Sequence, residues 1–155
     1  MFKIGETVVH SKIGLCDIKE ITKINDTNYY VLNTSKEDTK IMIPVDNNKH
    51  LIRKVITKQE IEELINKKMP EMEVDCIHDF KSRVKKYDEL LKSGETEKLI
   101  ILLKMIYKYK KENKNLTVAD KEIAKAAEKL LFTELAYVLN MDLNEVESYL
   151  FKAAN

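Results

Sequence analysis

The segment TKQEIEELI, residues 57–65, marks the point where the sequence changes from strand patterns to helix patterns. Thr57 followed three residues later by Glu60 forms a capping box, which is the sequence signature of a helix N-terminus. The apolar positions that follow repeat at helical spacing, namely Ile61, Leu64 and Ile65. Pro70 ends this helix, because proline disfavours helical geometry at the residue before it. The segment therefore predicts a junction between a strand-rich first part and a helical second part.

The residues before this junction have the pattern of short β-strands. Runs rich in β-branched and aromatic side chains occupy residues 6–10, 15–21, 29–32 and 41–43, with turn-forming residues between them. Four or five short antiparallel strands within about 50 residues indicate a small curled sheet or an SH3-like barrel.

The residues after the junction are helical from about residue 79 onward. Three apolar stripes have helical spacing, and they begin at Phe80, Leu99 and Ile123. Strands followed by helices favour two separate modules over one mixed α/β sheet. We therefore predict an α+β protein of two modules: a β module at residues 1–66, closed by a helix at about 58–68, then a linker at 67–78 and a helical module at 79–155.

The charge of the chain is balanced overall but uneven along its length. Lysine and arginine number 27 against 26 acidic residues, which gives a net charge of +1 over 155 residues. Residues 76–115 carry 11 basic and 6 acidic side chains, whereas residues 116–155 carry 4 and 7. The balance disfavours a protein whose whole surface coats a polyanion, while the basic block points to an anionic partner for one face. The alternative is that these lysines only solvate a helix.

The sequence lacks the usual signatures of catalysis and metal binding. His10, His50 and His78 lie in separate segments, and two cysteines are too few for a four-ligand zinc site or a disulfide framework. Cys76 and His78 are neighbours, but residues two apart on a helix do not face each other. We expect no enzymatic activity, no cofactor, no metal and no small-molecule substrate. No apolar run approaches the roughly 20 residues needed to span a membrane, so we expect a cytoplasmic protein without a membrane partner.

Several motifs occur in a fixed order along nearly the whole chain. In the first part these are residues 2–9 (FKIGETVV), 13–14 (IG), 29–32 (YYVL) and 41–45 (IMIPV). In the second part they are residues 90–95 (LLKSGE), Leu116 and Thr117 with Lys121, and residues 131–136 (LFTELA). In this combination they resemble the CarD/CdnL family of bacterial transcription regulators.

The resemblance implies a non-catalytic regulator with two partners. It implies a Tudor-like first module that docks on the β subunit of RNA polymerase and a helical module that contacts promoter DNA at the upstream edge of the transcription bubble. Such a protein alters the stability of the open complex and is associated with the nucleoid through the polymerase. Its DNA contacts are to phosphates and the minor groove, with little sequence preference. The alternative is a protein-interaction adaptor that does not bind DNA directly.

The DNA-contacting residues follow from the same resemblance. In that family a tryptophan acts as a wedge in the minor groove, whereas this chain contains no tryptophan. Counting back from Ser93 and Gly94 places Phe80 at that position, and phenylalanine also serves as a minor-groove wedge. The alternative is that Phe80 is a core residue, because it shares a helix face with Tyr87. For Lys121 the alternative is a solvated surface lysine. The predicted DNA-contacting residues are Phe80, Lys81, Arg83, Lys85, Lys86 and Lys121.

The polymerase-docking surface is expected at an edge of the sheet, because an exposed edge strand can add a strand from a partner. The resemblance places this edge at residues 39–43. The sequence leaves two alternatives for Tyr29 and Tyr30, the core and this interface, and we expect at least one of them in the core. The predicted polymerase-binding residues are Lys23, Ile24, Lys40 and Met42.

Overall fold

A computed structural model describes residues 1–34, 39–69, 74–113 and 115–152, and the chain divides into two compact units. The first unit, Met1–Val55, contains the strands, and the second unit, Ile56–Asn155, contains the helices. Strands followed by helices confirm the predicted α+β class with two modules.

The first unit, called the β unit, is an antiparallel sheet of five strands. Hydrogen bonding orders these strands β4-β3-β2-β1-β5, so β4 and β5 are the edges of the sheet in the described residues. Closure of the sheet into an SH3-like or Tudor-like barrel stays a prediction. The strands are β1 (Thr7–His10), β2 (Gly14–Ile24), β3 (Thr27–Thr34), β4 (Lys40–Pro44) and β5 (Ile52–Lys54).

A two-residue turn joins β2 to β3 and sets their register. Asn25 and Asp26 have φ angles of 46° and 64°, and a type I′ turn requires positive φ at both central positions. Asparagine and aspartate tolerate this left-handed geometry better than most residues do. Further along the same hairpin, a bulge between Ile18 and Glu20 shifts the pairing.

The core of the β unit is closed by the N-terminal segment. Tyr30 is fully buried, and its hydroxyl accepts a hydrogen bond from the Phe2 N–H at 2.9 Å. The two rings also meet edge to face, with centroids 6.0 Å apart. Tyr30 is therefore a core residue, whereas Tyr29 is half-buried. The other buried members of this core are Val8, Cys16, Ile18, Leu32, Ile43 and Ile52.

The second unit, called the helical unit, contains five α-helices in its described residues. Each of them contributes buried side chains to one hydrophobic cluster. A π-helical turn, Leu64–Lys68, continues the first helix. The helices are α1 (Lys58–Glu63), α2 (Phe80–Ser93), α3 (Thr96–Asn113), α4 (Val118–Leu139) and α5 (Leu143–Lys152).

The capping box predicted from the sequence is present at the start of α1. The Glu60 N–H donates to the Thr57 hydroxyl at 3.2 Å, and the Thr57 N–H donates to the Glu60 carboxylate at 2.8 Å. Two backbone N–H groups that the helix itself leaves without partners are thereby satisfied. Pro70, the predicted end of this helix, lies outside the described residues.

The apolar face of α1 packs in the helical unit, which moves the boundary between the modules. Ile61 is 1 % exposed and belongs to the same cluster as the buried residues of α3 and α4. The division falls after Val55 rather than after residue 66, so that α1 belongs to the helical unit. Met69, inside the predicted linker at 67–78, is buried in this cluster as well. The stripe on α1 shows that the helix is amphipathic, but the sequence does not show against which module that stripe packs.

Candidate nucleic-acid interface

Asp79 fixes the first turn of α2. Its carboxylate accepts hydrogen bonds from the Ser82 N–H at 2.9 Å and from the Ser82 hydroxyl at 2.7 Å, so that α2 begins at Phe80. The first turn of the helix contains no acidic residue and carries Lys81 and Arg83. Cations at a helix N-terminus add to the positive end of the helix dipole. The Asp79 carboxylate offsets part of this positive potential, so the exposed Lys81 is the cation of this turn that is available to an anion.

A buried ion pair joins the first turn of α2 to the first turn of α4. Arg83 Nε lies 3.0 Å from Asp120 Oδ1, and Arg83 Nη2 lies 3.1 Å from Asp120 Oδ2, which makes the contact bidentate. Arg83 is 1 % exposed and Asp120 is 0 % exposed. Because either charge would be costly to bury alone, the pair holds the two helix ends together in one geometry.

Asp120 also completes the capping box of α4. Its carboxylate accepts hydrogen bonds from the Thr117 N–H at 2.9 Å and the Thr117 hydroxyl at 2.8 Å, while the Asp120 N–H donates to that hydroxyl at 3.2 Å. Burial acts to raise the pKa of Asp120, but hydrogen bonds from Arg83 and Thr117 outweigh it and hold this pKa below its ordinary value. The hydrogen bond to Asp120 raises the pKa of Arg83. Both groups are therefore charged at neutral pH.

Two aromatic rings pack against the Arg83 guanidinium. Its Cζ lies 4.1 Å from the centroid of the Tyr109 ring and 5.5 Å from the centroid of the Phe80 ring, within the range of cation–π contacts. Arg83 Nη1 donates to the His78 carbonyl oxygen at 3.2 Å. The C-terminal part of α3 thus meets the N-terminal turns of α2 and α4. We call this place the three-helix junction, formed by His78, Phe80, Arg83, Tyr109 and Asp120.

At the three-helix junction, Phe80 has 49 % of its surface accessible. The alternative that Phe80 is a core residue is therefore wrong. Tyr87, two turns further along the same stripe of α2, is buried. The stripe passes from the core to the solvent because Phe80 occupies the first position of the helix. A half-exposed ring at this position is free to contact a ligand.

Four of the five predicted phosphate-contacting cations have exposed side chains, namely Lys81, Lys85, Lys86 and Lys121. Lys121 directly follows Asp120 in the first turn of α4, so the buried pair brings its backbone to the three-helix junction. Arg83 requires a correction, because its guanidinium is buried against Asp120 and is not available to a phosphate. The spacing along α2 does not reveal which of its cations faces a carboxylate from another helix.

Sequence reasoning missed Tyr109 and Asp120 as members of the junction. Tyr109 lies in residues 108–111 (KYKK), where an aromatic side chain among lysines is noticeable in the sequence. The sequence does not show which residue this side chain contacts. Asp120 is recognisable only as part of a helix cap. Their joint contact with Arg83 spans three helices, and no local pattern encodes such a contact.

The residues predicted to bind polymerase lie at two places in the β unit. Lys40 and Met42 are on β4, an edge strand among the described residues, and they share a face because they are two positions apart. Met42 is 43 % exposed. Lys23 and Ile24 end β2 beside the hairpin turn, where Lys23 Nζ lies 3.3 Å from the Asp26 carboxylate. The fold therefore groups these four residues as two pairs.

The described part of the chain offers little support for metal binding, for a nucleophilic thiol or for a membrane-spanning helix. Within it, no group of three or more histidine, cysteine, aspartate or glutamate side chains is placed to hold a metal ion. Burial, together with a hydrogen bond to Glu112, raises the pKa of the Cys76 thiol. The protonated thiol that results is a poor nucleophile at neutral pH. None of the described helices combines the length and apolar composition needed to cross a bilayer.

Comparison with known families assigns both units. The CarD-like/TRCF RID domain matches residues 2–56, and the CarD C-terminal domain matches residues 60–151. These two domains in this order define a transcription regulator that interacts with RNA polymerase. The chain belongs to the CarD-like family, as its motifs predicted. No curated protein matches the chain at a significant level.

We predict that the Arg83–Asp120 pair stabilises the helical unit at neutral pH and that acid removes this contribution. The pKa of Asp120 is lower in the folded than in the unfolded chain, so the stabilisation is complete above the unfolded value of about 3.9 and is lost as the pH falls through the folded value. Asp120→Asn should cost roughly 3–5 kcal/mol at pH 7, because the Arg83 charge then stays buried without a counter-charge. Thermal unfolding of the unmodified protein and of Asp120→Asn, followed from pH 7 to pH 2, measures the difference in stability. This difference should become smaller toward pH 2.

Asp88→Asn is the matched control for this experiment. Asp88 pairs with Lys92 at 2.7 Å on the surface of α2, and exposed helical pairs contribute only about 0.3–0.5 kcal/mol. The control should therefore unfold almost like the unmodified protein at pH 7. An Asp120→Asn effect as small as that of the control, or one of equal size at pH 2 and pH 7, contradicts the role assigned to the buried pair.

Proposed function

We propose that this protein is a non-catalytic transcription regulator that docks on the β subunit of RNA polymerase and contacts promoter DNA at the upstream edge of the transcription bubble. The β unit binds the polymerase, and the three-helix junction binds the DNA. The consequence is a change in the stability of the open complex. The protein acts in the bacterial cytoplasm and reaches the nucleoid through the polymerase.

The half-exposed Phe80 ring in a cationic helix end is the observation that carries this proposal. An apolar side chain that enters the minor groove fills the gap at an unstacked base step. Lys81 and Lys121 belong to the first turns of α2 and α4, where their exposed ammonium groups offer positive charge to phosphate. Phosphate contacts fix position without reading sequence, so promoter choice is left to the polymerase.

The link between DNA contact and open-complex lifetime is a difference in affinity. A ligand shifts an equilibrium only by as much as it prefers one state over the other. A wedge binds unpaired or bent DNA better than straight duplex, because the duplex must first be unstacked. The DNA contact can be weak, since docking of the β unit on polymerase makes the second contact intramolecular. The DNA surface therefore needs few cations.

The edge strand β4 is the proposed polymerase-docking surface. Met42 offers an exposed apolar side chain there, and Lys40 lies on the same face. An edge strand presents unpaired backbone groups to a partner strand, which gives affinity, while side chains such as Met42 give specificity. Lys23 and Ile24 at the hairpin end of β2 are the second, smaller part of the proposed surface.

We predict that Met42→Glu abolishes recovery of the RNA polymerase β subunit and leaves the fold intact. A carboxylate facing an apolar partner costs on the order of 2 kcal/mol or more, which corresponds to a loss of affinity of about 30-fold. Pull-down of polymerase, together with thermal unfolding of the variant, measures both effects. Ile13→Glu is the control, because Ile13 is equally exposed, at 42 %, in the turn between β1 and β2. Full β-subunit recovery by a folded Met42→Glu protein moves the interface elsewhere.

We predict that Phe80→Ala shortens the open-complex lifetime with little change in thermal stability. Phe80→Trp should lengthen this lifetime, because the larger ring covers more base surface, and base stacking contributes about 1–3 kcal/mol per base in single-strand binders. The measurements are a promoter-lifetime assay and a melting curve for each variant. Leu143→Ala is the control, since Leu143 is a 46 % exposed apolar residue of the same unit at the start of α5.

Binding to a forked promoter template, measured with and without polymerase, distinguishes the proposed regulator from a protein-interaction adaptor. A DNA-contacting regulator binds the template more tightly when polymerase is present, and Phe80→Ala reduces this gain. An adaptor that does not bind DNA directly gives the same template affinity for the unmodified protein and for Phe80→Ala. Unchanged lifetimes for Phe80→Ala and Phe80→Trp, or a large loss of melting temperature for both, contradict the wedge function of Phe80.

A further inference from the structure

Arg83 is the largest fully buried side chain among the described residues. A contribution to stability alone does not explain why a charged side chain is buried at this position. Replacing a buried ion pair by apolar side chains of similar volume is often neutral or stabilising. A buried bidentate pair does, however, define one geometry in a way that apolar packing does not. The contacts of Arg83 show which geometry is defined.

The hydrogen-bonding edges of the guanidinium are occupied in the plane of the group. Nε and Nη2 donate to the two Asp120 oxygens, and Nη1 donates to the His78 carbonyl oxygen. Because this fork is planar, its orientation is set by these partners, and its faces are left for ring contacts. Tyr109 lies against the group at 4.1 Å and Phe80 at 5.5 Å. An exposed ring thus rests on a buried support.

We propose that Arg83 is a positioning residue that holds the Phe80 ring in the orientation needed for DNA contact. The pair with Asp120 ties this support to the first turn of α4, so the exposed ring and Lys121 keep a constant spacing. Phe80 is thereby ordered before DNA binds, which removes part of the entropic cost of ordering it on binding. This inference rests on the proposed function for its consequence at the promoter, but the support itself is a property of the free protein.

A single tryptophan reports on the support directly. The chain contains no tryptophan, so Phe80→Trp introduces the only one, and its fluorescence reports the ring at position 80 alone. In this background Arg83→Lys keeps the charge but removes the planar face and the fork. Asp120→Asn keeps the size of the partner, but it removes the charge and replaces one acceptor oxygen by an NH2 group that cannot accept from Arg83. We expect both second changes to increase acrylamide quenching and to lower the fluorescence anisotropy of the tryptophan.

A matched control separates this local effect from general loosening of the fold. Val146 on α5 is fully buried in the same core, so Val146→Ala weakens the unit without touching the junction. It should leave quenching and anisotropy unchanged in the Phe80→Trp background. Melting curves identify which variants are folded at the measuring temperature, and Asp120→Asn serves if Arg83→Lys does not fold. Unchanged fluorescence in the folded junction variant, or an equal change with Val146→Ala, overturns the proposal.

The functional arm is a double-mutant cycle on open-complex lifetime, with Arg83→Lys and Phe80→Ala. If Arg83 acts through Phe80, Arg83→Lys alone shortens the lifetime roughly two- to thirtyfold, the range of cation–π contacts from exposed to desolvated, and has a much smaller effect once Phe80 is alanine. Additive effects overturn the proposal, because Arg83 then acts independently of the ring. A fluorescence response without any effect of Phe80→Ala on lifetime leaves the support standing and contradicts the proposed function instead.

Discussion

The ion pair between Arg83 and Asp120 is the constraint on which the candidate interface depends. Two helix N-termini carry partial positive charges, and lysines in their first turns add to them, so bringing the two ends together is unfavourable without an anion. Asp120 supplies that anion in a buried position, where it pairs with Arg83 and caps α4 at once. The exposed lysines are not neutralised by this pair. The junction is therefore held together by internal charge and leaves Lys81 and Lys121 exposed beside it.

The modest size of this cationic surface agrees with the charge balance of the whole chain. A net charge of +1 does not attract the protein strongly to bulk DNA, since non-specific affinity follows the number of phosphates neutralised. Residues 116–155, with 4 basic and 7 acidic side chains, further limit the footprint. Under the proposed function, the helical unit therefore depends on the β unit to bring it to the promoter.

Features that depend on neighbouring residues were predictable from the sequence. The capping box of Thr57 and Glu60 and the turn at Asn25 and Asp26 are encoded within four residues, and both appear in the structure. The antiparallel strands and the order of the modules also followed from local patterns. The boundary between the modules did not follow from local patterns, because it depends on the core in which Ile61 is buried. Closure of the sheet and the roles of the site residues stay predictions.

The candidate site shows the same limit more sharply. Lys81 and Arg83 are both cations in the first turn of α2, and the sequence gives no reason to treat them differently. Asp120 distinguishes them, because only Arg83 meets its carboxylate and is buried. Likewise, the helical stripe allowed Phe80 to be core or surface, and the tertiary structure decided for the surface. Contacts between helices, rather than spacing along one helix, therefore determine the residues available to a partner.

The most direct test of the central claim is site-specific photocrosslinking from position 80 in an open promoter complex. A photoreactive phenylalanine derivative at this position, in the full chain bound to polymerase, should crosslink to promoter DNA at the upstream edge of the bubble. The crosslink should require polymerase and should be absent when the same group is placed at position 143. A crosslink from position 80 to a polymerase subunit alone, with none to DNA, contradicts the claim that the three-helix junction contacts the promoter.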